Sequence, residues 1–142
     1  MTKYLLDSNI LSEPTKPNPN KSLMTLLIKN QVVSSLAAVS YFEMLHGILV
    51  LSNGKYKNRL MAYLEEVVVP FYNFISFNFS AAKINAELTA KLESVGKRLP
   101  IIDSQIASIA LANNLVLVTR NTKDFLPIQE YFPLVIENWF DM

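Results

Sequence analysis

Residues 115–118 read Leu-Val-Leu-Val, a short apolar run without the polar alternation of a half-exposed strand. A strand with apolar side chains on both faces is covered on both sides, which is typical of a parallel sheet in an α/β protein. Residues 3–7 contain a second short apolar strand, and this one ends in an acid, Asp7. The two stretches together predict a sheet buried between layers of helices.

Around these strands the chain alternates between extended and helical patterns. We predict further strands at residues 31–36, 75–77 and 134–136, and helices at 22–29, 40–51, 55–67, 80–95 and 103–113. Pro70 is expected to close the third helix, Ser80 to cap the fourth and Gly96 to end it. This order predicts a single α/β domain, residues 1–142, with a mainly parallel central sheet of about four or five strands and helices on both faces.

Composition restricts the chemistry of the protein. Of 142 residues, 51% are hydrophobic and 18% charged, as in one compact domain. The chain has no cysteine and a single histidine, His46, so a metal would have to be bound through oxygen. Because no second Glu-x-x-His pair exists, His46 is interpreted as an ordinary helix residue. Three widely separated glycines exclude a GxGxxG or Walker A loop.

The N-terminal segment and the net charge indicate where the protein is located and whether it attracts nucleic acid. No signal-peptide core and no apolar run of membrane-spanning length is present, so we expect a cytoplasmic protein without membrane contact. The net charge of +1 gives no global attraction to nucleic acid. The phenylalanines at 71, 74, 77 and 79 are expected to fill the core rather than to stack on bases.

Polar residues follow the predicted strands or open the predicted helices, at the edge where ligands bind in open parallel sheets. They are Asp7, Glu43, Asp103, Asn121 and Asp124. A carboxylate directly after an apolar strand lies close to the core, where an unpaired charge is costly. Several carboxylates at one edge repel each other unless a divalent cation compensates, which favours an Mg²⁺ or Mn²⁺ site.

Each later acid also has a purely structural interpretation. Ser40-x-x-Glu43 matches a capping box, and Asp103 suits a helix N-cap. Asn121 and Asp124 are ordinary turn formers. Taken singly these interpretations are the more common ones, and the site hypothesis depends on the residues occurring together.

Four segments in order resemble those of PIN-domain proteins, in particular VapC/FitB-like toxins of type II toxin–antitoxin pairs. They are LLDSNILSE at 5–13, SYFEMLHG at 40–47, the stretch 96–107 with an acid opening an Ile/Ala-rich helix, and VTRNTKDF at 118–125. The resemblance spans nearly the whole chain. It implies the PIN-like three-layer fold and a metal-dependent ribonuclease.

The resemblance also implies roles for individual residues. Asp7, Glu43 and Asp103 match the acidic metal ligands of the family, and Asn121 occupies a fourth position that is often Asp. In the expected reaction a water, deprotonated with help from a carboxylate, attacks phosphorus while the metal stabilises the developing charge. Glu43 either completes the metal site or accepts the proton.

Five further residues are secondary candidates for the site or for contact with RNA. Asp124 either holds a metal-associated water or only ends its turn. Ser8 and Asn9 follow Asp7 as in the family, where such groups orient the first ligand or the water, although local turn bonding explains them equally well. Arg120 and Lys123 lie beside the acidic residues and are candidates for phosphate contact, although exposed basic side chains are more often only solvated.

Three functions remain open from the sequence. The first is an endoribonuclease toxin with an RNA substrate, a small antitoxin partner and a homodimeric state. The second is a binding module with weak or no catalysis, in which Asn121 marks a weakened site. The third, a phosphoryl-transfer enzyme with Asp7 as nucleophile, lacks an acid two residues later. The helices at 22–29 and 55–67 are either partner surfaces or core.

Overall fold

Five short parallel strands form the central sheet of the computed structural model, which describes residues 1–142. They are β1 (Tyr4–Leu6), β2 (Ser34–Ala37), β3 (Asn73–Ile75), β4 (Val116–Val118) and β5 (Ile136–Glu137). Their order across the sheet is β3-β2-β1-β4-β5, and every neighbouring pair is parallel. The predicted α/β class and parallel sheet are confirmed.

Eight helices connect and cover the strands. They are α1 (Ser8–Ser12), α2 (Lys21–Lys29), α3 (Ala38–Leu49), α4 (Lys55–Tyr63), α5 (Val69–Phe71), α6 (Phe79–Ser94), α7 (Ile101–Ala112) and α8 (Thr122–Gln129). A π-helical turn, Leu64–Val68, joins α4 to α5. None of these helices combines the length and the apolar character that crossing a membrane requires.

The sheet separates two apolar cores. Leu5 and Leu117 point into a core built with α6, α7 and α8, whereas Tyr4, Leu6 and Val118 point into a core built with α1, α2, α3 and the π-helical turn. Successive side chains of a strand alternate between its faces, so each central strand must be apolar throughout. This burial on both faces explains why residues 115–118 are all apolar instead of alternating between apolar and polar.

The strand register determines which polar residues meet. Leu6 of β1 pairs with Leu36 on one side and with Val118 on the other. Asp7 and Thr119 therefore leave adjacent strands side by side, and the Asp7 N–H donates to the Val118 carbonyl at 2.9 Å. The chain winds outward from β1 to β3 and then returns to the other side of β1, so a topological switch point lies between β1 and β4.

Several predicted boundaries were wrong. Residues 31–33 form a 3₁₀ turn, so β2 begins only at Ser34, and β3 lies two residues earlier than predicted because its pairing with β2 selects residues 73–75. Pro70 does not close a helix. It lies in the first turn of α5, where a missing N–H is tolerated.

The start of α6 was also predicted incorrectly. Asn78, not Ser80, is the N-cap, and its side-chain oxygen accepts the Ala81 N–H at 3.0 Å. The predicted end is confirmed. Gly96 adopts a left-handed φ of 73°, and Lys97 N donates to the Leu92 carbonyl at 2.8 Å in a Schellman-type closure.

The fold bears on two predictions about burial. Phe74 and Phe77 pack against the two cores, but Phe71 and Phe79 are exposed, so the prediction that all four phenylalanines fill the core was wrong for two of them. These two lie at helix ends rather than beneath the sheet. The buried leucines of residues 22–29 and 55–67 belong to the core, whereas Ile28 and Val67 are exposed, so a partner surface on these helices stays a prediction.

Candidate active site

Asp7 follows β1 and lies at the switch point. Only 5% of its surface is exposed, yet its carboxylate is well supplied with donors. Ser8 N donates to Oδ1 at 2.8 Å, while Thr119 Oγ1 at 2.8 Å and Asn9 Nδ2 at 3.3 Å donate to Oδ2. Burial raises the pKa of Asp7, and these three hydrogen bonds oppose that rise. The carboxylate is therefore held in one orientation at the carboxyl edge of the sheet.

Thr119 organises the neighbouring groups and is fully buried. Besides donating to Asp7, its hydroxyl oxygen accepts the Asn121 N–H at 3.1 Å and lies 3.3 Å from Asn9 Nδ2. The Asn9 amide oxygen in turn accepts the Arg120 N–H at 3.1 Å. Asn9 thus ties the start of α1 to the loop after β4. The sequence interpretation missed Thr119, although its position directly after the apolar strand pairs it with Asp7 once the register is known.

Glu43 approaches the same place from α3. That helix begins at Ala38 with Ala37 as its N-cap, so Glu43 lies in the second turn and the capping-box interpretation was wrong. Partial burial raises the pKa of Glu43, and the charges of Asp7 and Asp103 raise it further, while the nearby Ser8 hydroxyl acts in the opposite direction. The three acids are therefore close enough to repel each other.

Asp103 is the third residue of α7 and not its N-cap, which is Pro100. Burial raises the pKa of the Asp103 carboxyl, with further contributions from the charges of Asp7 and Asp124. The first turns of α7 are fixed against α6 because Asn85 Nδ2 donates to both Ser104 Oγ and Ser108 Oγ at 3.1 Å. Packing between these helices therefore positions Asp103 at the site.

Asn121 and Asp124 lie at the start of α8. Asn121 is the N-cap residue but its side chain makes no capping bond, and the residue lines the cleft described below. Asp124 is exposed and its N–H donates to the Asn121 carbonyl at 3.1 Å, as a turn former would. Its charge nevertheless raises the pKa of Asp7, so it lies at the margin of the acidic group.

These side chains face a cleft of about 680 Å³. Its lining includes Asp7, Ser8, Asn9, Glu43, Asp103 and Asn121, all of which were predicted from the sequence. Its lining also includes Lys16, Tyr56 and Arg59, which were not predicted. Tyr56 and Arg59 come from α4, and only the packing of that helix beside α1 and α3 brings them to the site.

The basic residues predicted beside the acids lie elsewhere. The Arg120 guanidinium lies over the Phe140 ring, with Cζ 4.7 Å from the ring centroid, and Lys123 is exposed on α8. Neither lines the cleft. Contact of these two residues with RNA stays a prediction. His46 is exposed and stacks on Phe42 at 5.7 Å between ring centroids.

Asp7, Glu43 and Asp103 form no ion pair with a basic side chain of the protein. The two ion pairs of the structure join Lys16 to Glu13 and Lys97 to Glu130, and neither involves a cleft acid that the sequence analysis selected. No group of three or more Asp, Glu or His side chains is already arranged to hold a metal ion. The donor chemistry nevertheless fits a hard divalent cation, because oxygen atoms from mutually repelling carboxylates converge on one cleft.

Comparison with known proteins agrees with this arrangement. Residues 4–128 match the family model described as PIN domain. The chain belongs to the PIN-domain family. The family resemblance seen in the sequence motifs is thereby confirmed, and the matched range contains all of the acids discussed above.

Individual relatives extend over most of the chain. The chain is 33% identical to toxin FitB of Neisseria gonorrhoeae, covering 85% of this chain and 89% of FitB. It is 30% identical to ribonuclease VapC2 of Rickettsia felis, covering 96% of this chain and 97% of VapC2. The crystal structure of FitAcB from Neisseria gonorrhoeae superposes with a TM-score of 0.87 at 29% identity, covering 98% of this PIN domain and 99% of that chain.

Proposed function

We propose that this PIN-domain protein is a metal-dependent endoribonuclease and the toxin of a type II toxin–antitoxin pair. The observation that carries the proposal is the set of three carboxylates, Asp7, Glu43 and Asp103, which share one cleft and form no ion pair with a basic side chain. The similarity to proteins named ribonuclease VapC2 and toxin FitB supports the same function.

The three carboxylates would hold Mg²⁺ or Mn²⁺, with the Asn121 amide as an additional oxygen donor. A bound divalent ion would supply Lewis-acid chemistry toward the scissile phosphate and would neutralise its charge. Without such an ion, the acids repel both one another and an approaching phosphodiester. Asp7 is the most rigid of the three, because three hydrogen bonds fix its carboxylate.

Glu43 is the best-suited acceptor for the proton of the attacking water. Burial and the charges of Asp7 and Asp103 raise the pKa of Glu43 in the metal-free protein, and a bound cation would offset the part of the rise that comes from those charges. Its side chain is only partly buried on α3, so it can reach a water in the cleft. Asp103 comes from a different helix, α7, and completes the set of oxygen donors.

The test is cleavage of total cellular RNA by the partner-free protein in Mg²⁺ or Mn²⁺. Discrete fragments from the wild type, their loss in EDTA and their loss in Asp7→Asn are the expected results. Glu87→Gln, which removes one exposed carboxylate on α6 outside the cleft, is the matched control and should cleave normally. Absence of cleavage under every condition would favour the alternative function, a binding module in which Asn121 marks a weakened site.

A cytoplasmic homodimer with a cognate antitoxin completes the proposal. Phe42, Leu49 and Val50 form an exposed apolar surface at α3, with 56%, 53% and 69% of their surfaces accessible. Large apolar side chains grouped on a surface commonly mark protein contacts. Light scattering should give the mass of a dimer. Co-expression with the product of a neighbouring short gene should give a complex in which RNA cleavage is suppressed.

A further inference from the structure

Tyr56 and Arg59 line the same cleft as the acids, and the proposed reaction does not use them. We propose that these two residues bind the RNA strand next to the cleaved bond, with Arg59 holding a phosphate and Tyr56 stacking on an unpaired base. The inference builds on the proposed nuclease function and assigns the residues of this chain that hold the strand.

Arg59 has unused donors and an unbalanced charge. It takes part in neither of the two ion pairs of the structure. Its Nη1 donates one long bond, 3.3 Å, to the Thr15 carbonyl, which leaves the rest of the five guanidinium N–H groups available. A planar guanidinium in this state matches the oxygens of a phosphate, which it can bind in a bidentate manner.

Tyr56 supplies a flat surface beside that charge. The side chain is 57% exposed, and the Arg59 Cζ atom lies 5.3 Å from the centroid of its ring. The cation–π contact keeps the two groups together, one turn apart on α4. An exposed ring next to a cation is the combination with which proteins bind single strands, because the base stacks on the ring while the phosphate meets the charge.

The wall that carries these residues is fixed before any ligand binds. The Tyr63 hydroxyl donates to the Leu11 carbonyl at 2.7 Å, which ties α4 to α1. Lys57 Nζ donates to the carbonyls of Leu49 and Leu51 at 3.1 and 3.2 Å, which ties α4 to the end of α3. Tyr56 and Arg59 are thus presented at a set place relative to the acids.

Lys16 also lines the cleft but contributes less charge. Its Nζ is 3.1 Å from Oε1 of the buried Glu13, so that carboxylate largely neutralises it. Arg59 is therefore the principal cation of the cleft. A duplex keeps its bases paired and stacked away from protein side chains, so the Tyr56 contact requires an unpaired base.

The experiment measures binding of a short, mixed-sequence, fluorescently labelled RNA, as a single strand and as a duplex. The Asp7→Asn chain in EDTA is the background, because both changes prevent metal-dependent cleavage. In this background Arg59→Ala, Arg59→Lys, Tyr56→Ala and Tyr56→Phe are compared. Lys55→Ala is the matched control, since it removes one exposed charge from the same helix outside the cleft.

The two residues should give different signatures. Arg59→Ala should weaken single-strand binding about tenfold at low salt and reduce the slope of log affinity against log salt by about 0.7, the value for one phosphate contact. Arg59→Lys should retain the slope. Tyr56→Ala should weaken binding by about 5- to 150-fold without changing the slope, and Tyr56→Phe should bind like the background. The duplex should bind more weakly than the single strand.

The inference is overturned if Arg59→Ala and Tyr56→Ala bind like Lys55→Ala, or if the duplex binds as tightly as the single strand. Circular dichroism and thermal unfolding identify any variant that has lost its fold. If an alanine variant has, Arg59→Lys and Tyr56→Phe decide whether the side chain contributes to RNA binding. If the wild type cleaves RNA while these variants bind normally, only this inference fails. If the variants lose RNA binding while the wild type cleaves nothing with metal, the nuclease proposal fails and the assignment of Arg59 and Tyr56 to RNA binding remains.

Discussion

Replacing Thr119 by valine removes one hydroxyl and keeps nearly the same shape in a fully buried position. The loss deprives the Asp7 carboxylate of a 2.8 Å hydrogen bond and leaves the Asn121 N–H without its acceptor. A hydrogen bond to a charged group contributes about 1.5–3 kcal/mol. We therefore expect Thr119→Val to lower the free energy of unfolding by about 2–3 kcal/mol at neutral pH without metal.

The destabilisation should depend on pH. The pKa of Asp7 in the folded protein is raised by burial, so the associated stability is fully present below the ordinary pKa of an aspartate and is lost as the pH rises through the folded pKa. Thr119 is the largest of the contributions that oppose this rise. Its removal raises the folded pKa further. The stability gap between wild type and variant should therefore widen with pH, by about 1.4 kcal/mol for each unit of additional shift.

Urea unfolding in EDTA near pH 4 and near pH 8 measures this gap. Thr119→Ser is the matched control, because it retains the hydroxyl and loses only a methyl group, worth about 1 kcal/mol at both pH values. A Thr119→Val protein as stable as Thr119→Ser near pH 8 would refute the reasoning. A gap that grows in acid would refute it as well, since the sign of the linkage would be reversed.

The remaining predictions concern the acids, the metal and one helix cap. Asp7→Asn and Asp103→Asn should each abolish metal-dependent RNA cleavage, and unchanged cleavage by both would contradict the site. In thermal unfolding without metal, Asp103→Asn should show no loss of stability because carboxylate repulsion is relieved, whereas Asp7→Asn should be destabilised because an amide cannot accept all three hydrogen bonds of the Asp7 carboxylate. Mg²⁺ at a hundred times its dissociation constant should raise the free energy of unfolding of the wild type by about 2.7 kcal/mol. The same unfolding measurement on Asp7→Asn should show no such gain. Asn78→Ala should cost about 1 kcal/mol in chemical unfolding, whereas Ser80→Ala should stay within about 0.5 kcal/mol; equal effects would contradict the observed cap.

Sequence patterns predicted the middle of each element better than its ends. The apolar runs around Leu5 and Leu117 predicted buried parallel strands because burial on both faces demands apolar residues at every position. The start of α6 was predicted incorrectly, because Asn78 and Ser80 are both good caps and only the packed backbone selects one. Strand β3 was displaced for a similar reason, since its extent depends on pairing with β2.

The residues of the site also divide into those that the sequence predicted and those that it did not. Asp7 and Asn121 follow strands and Asp103 lies in the first turn of a helix, so their positions could be predicted from the order of elements along the chain. Glu43 was also selected, although it lies in the second turn of α3 rather than at its start. Tyr56 and Arg59 could not be predicted as cleft residues, because they lie on a helix whose sequence pattern resembles that of any amphipathic surface helix. Their place beside the acids depends on contacts of α4 with distant segments, such as the Tyr63 bond to Leu11.

By itself the sequence determined the α/β class, the oxygen-only donor chemistry and the acidic residues, because these follow from local periodicity, composition and the order of strands and helices. The tertiary structure alone decided that Thr119 orients Asp7, that Arg120 lies over Phe140 outside the cleft, and that Arg59 and Tyr56 complete the cleft. Strand register and helix packing join residues that are far apart along the chain, and no local pattern encodes the distances between them.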